Sequence, residues 1–265
     1  MTTITVHSFK GGTGKSLIAV LLAYEYSKMG MNVLIIDGDY YAPCLSTYFP
    51  KKKEGKPFTT YLVGEADIED TISKTKHKNL FVSYAPSPDF SEAILQADVH
   101  THGQYLKRIL LGRDILLKEH GFDCIVFDNS SGVSIPSINQ LSCSNKSVII
   151  IRPVRYGIEA VYERLTAIYQ KLRYVDSEIP RKDLFVWNQV PTLEDHTIEK
   201  RIMDYLNHWK EKFEESWVYH GTTIPYNSKV VSSMVGNQSI DISYLNTLLS
   251  DNITEIITAL EETSA

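Results

Sequence analysis

The stretch "TITVHSFKGGTGKSLIAV", residues 3–20, joins two regular elements through a glycine-rich turn. Its opening, Thr3 to Phe9, is short and rich in β-branched side chains, which predicts a strand. From Lys15 an apolar run continues as "KSLIAVLLAYEYSKMG" (15–30), which reads as a helix closed by Gly30. Between them lie Gly11, Gly12 and Gly14, with a lysine on each side, Lys10 and Lys15. Glycine lets the chain take positive φ and approach a ligand without Cβ atoms in the way. Main-chain N–H groups converging at a helix start, with the helix dipole behind them, favour a bound phosphate. The turn is therefore expected to cradle phosphates through Gly11, Gly12, Thr13 and Gly14. Lys15 would reach the outer phosphates, and Ser16 would ligate Mg²⁺.

The usual phosphate-loop pattern, G-x-x-x-x-G-K-[ST], needs glycine at position 9, where this chain has Phe9. What stands instead, K-G-G-T-G-K-S, resembles the deviant Walker A signature of the MinD/ParA superfamily, the SIMIBI-class NTPases. The resemblance extends from Thr2 to about Ile240. It implies ATP and Mg²⁺ as ligands and an ATP-dependent homodimer. It also gives Lys10 a task that the turn alone does not explain, contact with phosphates bound by the other subunit.

Working outward, "VLIID" (33–37), "LFVSYA" (80–85), "CIVFD" (124–128), "SVIIIRP" (147–153) and "LFVWNQV" (184–190) read as further strands. Most are apolar at consecutive positions, as strands covered on both faces are. Helical spacing in "QYLKRILLGRDILLKEHG" (104–121) and "GIEAVYERLTAIYQKLR" (157–173) places helices between them. A last helix carries Ile253, Ile256, Ile257 and Leu260 on one face. This alternation predicts a doubly wound α/β fold with a mostly parallel sheet flanked by helices, built as one domain over 1–265. Residues 41 to 78 are expected to be loops with short helices.

Acidic residues follow two of the strands. "IIDGDYYAP" (35–43) ends a strand with Asp37 and Asp39, where open α/β sheets bind ligands. In the resembling D-x-D pattern the first acid, Asp37, sits near the metal and the second, Asp39, serves hydrolysis. "FDCIVFDNSSGV" (122–133) ends another strand with Asp128, the expected Walker B acid for Mg²⁺. Gly132 is expected to offer its N–H to the γ-phosphate. The family reads D-x-P-x-G here, and Ser130 replaces the proline, which is expected to loosen the loop. At the base end the resemblance implies Asn188 on the edge of adenine, with Pro225 and Tyr226 covering the ring. An N-K-x-D motif is absent, which favours ATP over GTP. "DGDYYAP" also looks like the D-x-D-x-x-x-P of the iron–sulfur carrier branch, whose C-x-x-C is missing here.

Composition bounds the remaining readings. With 265 residues, 43% hydrophobic and 22% charged, the chain can bury a large core. A net charge of −5 offers no overall basic field to nucleic acid. "KKKEGK" (51–56) could touch nonspecific DNA, although a solvated loop is the simpler reading. "HTH" (100–102) reads as a surface pair of histidines at a helix start. The three cysteines form no metal-type spacing. No leader pattern or membrane-spanning run of about 20 residues is seen, so a cytoplasmic protein is expected. Residues 251–265 carry Asp251, Glu255, Glu261 and Glu262 without Lys or Arg, unlike a C-terminal membrane helix. The expected function is a slow, partner-stimulated ATP hydrolase for positioning, partition or regulation, acting with a protein activator or cargo. The alternatives are a nucleotide-gated adaptor with negligible hydrolysis, and an energy-coupled metal carrier or ligase.

Overall fold

Successive side chains of a strand point to opposite faces, and here both faces are apolar. In β2 (Val33–Gly38), Val33 and Ile35 join one core cluster while Leu34 and Ile36 join another. The same division holds in β5 (Cys124–Ser131), with Cys124 and Val126 opposed to Ile125 and Phe127. It holds again in β6 (Lys146–Ile151) and β7 (Lys182–Val190), where Val148 and Val186 face away from Ile149 and Trp187. A strand buried on both sides needs helices on both sides, and the chain supplies them.

The computed structural model describes residues 1–50, 55–154, 158–172, 181–235 and 240–262. The remaining strands are β1 (Thr2–Ser8), β3 (Ser73–Lys74), β4 (Leu80–Ser83) and β8 (Tyr219–Pro225). They form one sheet in the order β3-β4-β2-β5-β1-β6-β7-β8. Every pairing is parallel except β3 with β4. The doubly wound α/β expectation therefore holds.

Helices α1 (Lys15–Lys28), α9 (Ser228–Met234) and α10 (Ile242–Glu261) cover one face. Leu17 to Ala23 of α1 are all buried, because α1 lies between the sheet and α10. Gly30 follows with φ +93°, the left-handed value a helix-ending glycine supplies. On the other face lie α3 (Phe58–Leu62), α4 (Pro88–Leu95), α5 (Val99–Lys118) and α6 (Ile135–Ser142), together with α7 (Ile158–Leu172) and α8 (His196–Glu215). The region 41–78 holds α2 (Leu45–Tyr48), α3, a turn of 3₁₀ helix and β3, as loops with short helices should.

Three expectations need correcting. α5 starts at Val99 rather than Gln104, because the Asp98 carboxylate accepts the Thr101 N–H at 2.7 Å and caps it. That start carries His102 into the interior at 2% exposure, so the histidines are not a surface pair. β5 runs three residues past Asp128, to Ser131, which pairs with Ser8. Ser130, standing where the expected pattern has proline, therefore lies inside a strand and not in a loop. Of the "KKKEGK" segment, 51–54 lie outside the described residues, while Lys56 pairs with Asp70 at 3.0 Å on the surface.

Candidate nucleotide-binding site

The carboxyl ends of β1, β2, β5 and β7 meet at one edge of the sheet, where parallel sheets place their ligands. There the loop between β1 and α1 turns through Gly12 and Gly14, at φ +73° and +89°. A Cβ on Gly11 or Gly12 would meet nothing within 4 Å, so the main chain faces open space. That space is a cleft of about 550 Å³ lined by Gly11 to Ser16, Asp39, Asn188, Pro225 and Tyr226. Thr13 Oγ1 is buried there with no hydrogen-bond partner among the described residues, as a group reserved for a ligand would be.

The charged centre of the cleft is Lys15, 5% exposed. Its Nζ lies 2.6 Å from Asp128 Oδ1, 3.4 Å from Asp39 Oδ2 and 3.2 Å from Ser16 Oγ. Burial alone would lower the lysine's pKa. The charge of Asp128, the hydrogen bond to it and the charge of Asp39 outweigh that and hold it above the ordinary value. Lys15 is thus a fixed cation at the head of α1. Asp37 stands beside Asp128 in the register of β2 and β5. Its oxygens accept the N–H groups of Asp39 at 3.2 Å and Leu45 at 3.0 Å. Burial, then the neighbouring charge of Asp128, push its carboxyl up to about 7.

This is an anion cradle at a helix start with a buried lysine and two acids behind it. A family model described as an AAA domain, AAA_31, matches residues 1–179. The chain belongs to this family, and its fold is that of the MinD/ParA P-loop ATPases. An uncharacterized ATP-binding protein of Methanocaldococcus jannaschii is 26% identical over 155 residues. That match takes in 58% of this chain and 54% of the relative, so the chain spans about half of that protein. Two solved structures share the fold. Apo McdA of Cyanothece has a TM-score of 0.79 at 18% identity, covering 98% of this chain and 99% of its own. The septum site-determining protein MinD of Pyrococcus horikoshii, complexed with Mg-ADP, has 0.66 at 17%, covering 98% and 94%.

Within this family member, not all of the expected residues line the cleft. Lys10 is exposed and lines a smaller neighbouring cavity with Phe9 and Arg152, outside the main cleft. The Gly132 N–H donates to the Ser8 carbonyl at 2.8 Å, so it is engaged within the sheet and not directed at the cleft. Asn188 lines the cleft, yet its Nδ2 donates to the Thr13 carbonyl at 2.7 Å and its Oδ1 accepts the Gln189 N–H at 2.9 Å. Its amide braces the phosphate loop, which narrows what it can offer a base. Asp37 caps the start of α2 and does not line the cleft. Pro225 and Tyr226 do line it, and Tyr226 is half exposed.

Other residues of the cleft escaped the sequence reading. Cys44 Sγ lies 3.8 Å from Asp128 Oδ2, and Gln189 Nε2 lies 3.4 Å from the Gly12 carbonyl. Asn227 caps α9 by accepting from Lys229 and Val230. Only the Asx type, favoured at helix starts, signals the last of these. Among the described residues no three His, Cys, Asp or Glu side chains group to hold a metal by themselves. Mg²⁺ does not need such a cage, since one or two hard protein oxygens and phosphate suffice, and Ser16 and Asp128 are of that kind. No helix of the described residues is long and apolar enough to cross a membrane.

Proposed function

We propose that the chain is a magnesium-dependent ATP hydrolase that works as a nucleotide switch, closing on ATP into a homodimer with the nucleotide sandwiched between subunits. The observation that carries this reading is the buried Lys15 held between Asp128 and Asp39 at 2.6 and 3.4 Å, at the mouth of a glycine turn open to the cleft. The N–H groups of Gly11 to Gly14 and the Thr13 hydroxyl bind phosphate oxygens, and Lys15 offsets their charge. Ser16 and Asp128 hold Mg²⁺, which when bound neutralises charge on the terminal phosphates. Asp39 orients the attacking water. Lys10, placed outside its own cleft, reaches the phosphates of the partner copy. Asn188, Pro225 and Tyr226 enclose the base. Catalysis then rests on positioning and charge neutralisation rather than covalent chemistry.

Likeness to a septum site-determining protein supports an output in positioning, partition or regulation through a protein activator or cargo. A second reading, a nucleotide-gated adaptor with negligible hydrolysis, is favoured by the Gly132 N–H being engaged by Ser8. Single-turnover ATP hydrolysis with and without magnesium and nonspecific DNA separates the two. Slow, magnesium-dependent turnover that Lys15→Ala abolishes supports the hydrolase. ATP-dependent self-association without turnover supports the adaptor.

A further inference from the structure

Ser8, the last residue of β1, is fully buried and addresses two parts of the site at once. Its carbonyl accepts the Gly132 N–H at 2.8 Å. Its hydroxyl donates to the Lys10 carbonyl at 2.9 Å and lies 3.3 Å from Ser131 Oγ. A hydroxyl has one proton, so when Ser8 gives it to Lys10 the Ser131 hydroxyl is the donor to Ser8. Ser8 itself is buried, so its hydroxyl has no water to turn to when a partner is lost. The register of β1 with β5 slips between Val6 and Ser8, so this end of the ladder is joined to the rest through an irregularity. Gly132 follows at φ +84°.

We propose that Ser8 is a positioning residue that couples the Ser131–Gly132 end of β5 to the main chain of Lys10. This rests on the sequence expectation that Gly132 offers its N–H to the γ-phosphate and on the proposed reach of Lys10 to a second copy. In the structure the Gly132 N–H and the Ser131 hydroxyl hold Ser8, and Ser8 holds Lys10. If Gly132 turns toward a phosphate, both bonds to Ser8 are lost together and the loop carrying Lys10 is re-aimed. The coupling is reciprocal, so fixing Lys10 in a partner biases Gly132 by the same free energy.

The test is a double-mutant cycle on the nucleotide-free protein, with amide hydrogen exchange as the readout. Ser131→Ala should speed exchange at residues 10–12 by about 3-fold or more, and should add nothing in a Ser8→Ala background. Additive effects, or a loop unmoved by Ser131→Ala, overturn the coupling. The Ser131→Ala arm alone decides it if Ser8→Ala does not fold. In magnesium and ATP, Ser8→Ala should lower kcat about 10-fold with KM nearly unchanged, and Ser8→Thr should restore it. A rise in KM at constant kcat, or no rescue by threonine, also overturns the proposal. If the wild type neither self-associates nor turns over ATP, the functional reading fails, while the exchange cycle still decides the coupling.

Discussion

Asn188 Nδ2 occupies the place beside Gly14 where a side chain would begin, 2.5 Å from the Cβ position, and from there it holds the Thr13 carbonyl at 2.7 Å. β7 and the phosphate loop are thereby locked together. Gly14→Ala must both adopt a φ of +89° and displace that amide. The expected cost is about 1–3 kcal/mol of stability, with at least about a 10-fold loss of ATP affinity. Denaturant titration and calorimetric ATP binding check both. A variant with unchanged affinity would mean that Asn188 does not brace the loop.

The buried lysine makes a second prediction that does not need nucleotide. Removing Lys15 leaves Asp128 and Asp39 facing each other without their cation. Lys15→Met should cost the nucleotide-free protein roughly 3–5 kcal/mol, the range for breaking a buried pair, and should abolish ATP binding. Urea unfolding with and without ATP measures the two effects. Unchanged stability in the absence of nucleotide would show that the lysine is not held by the two acids.

Ser130 stands where the family pattern has proline, and it donates its N–H to Asn129 Oδ1 at 2.8 Å. Proline would delete that bond, worth about 1 kcal/mol, and would restrict the unfolded chain by a similar amount, about 0.4–1 kcal/mol. Ser130→Pro should therefore fold with a melting temperature within about 3 °C of wild type. A drop beyond about 10 °C would show that this N–H serves the sheet and not the neighbouring side chain.

His7 is fully buried in β1, and burial followed by the charge of Lys15 lowers its pKa from 6.5 to about 3. A depressed pKa means that the unfolded chain binds the extra proton first. Its contribution is complete above pH 6.5 and is lost progressively as pH falls toward 3. At pH 5 the loss is about 2 kcal/mol. Stability measured at pH 7 and pH 5 should fall more steeply in wild type than in His7→Leu, by about that amount. Parallel pH dependence in the two proteins would contradict the buried neutral imidazole.

The layered fold was legible because consecutive apolar residues in "VLIID" and "SVIII" can be satisfied only by cover on both faces. The phosphate loop was legible because glycine spacing and the flanking lysine are set by local geometry. α8 was not read, although Leu206, Trp209 and Phe213 recur at helical spacing and are buried. β8 is an edge strand whose "YHGTTIP" carries little apolar signal, since its face is half exposed. The hydrogen-bond partners that Gly132 and Asn188 take within the chain were not legible for another reason. Which carbonyl an N–H reaches depends on strand register, and Ser8 opposite Ser131 is a long-range fact that no local pattern encodes.

The central claim is that two copies share their nucleotides through Lys10, which lies outside its own cleft. Light scattering of wild type and Lys10→Ala in magnesium and ATP tests it directly. The wild type is predicted to double its mass on adding ATP, with Lys10→Ala remaining a monomer that still binds nucleotide. A Lys10→Ala protein that dimerises and turns over ATP like wild type would contradict the account and leave a pocket that works alone.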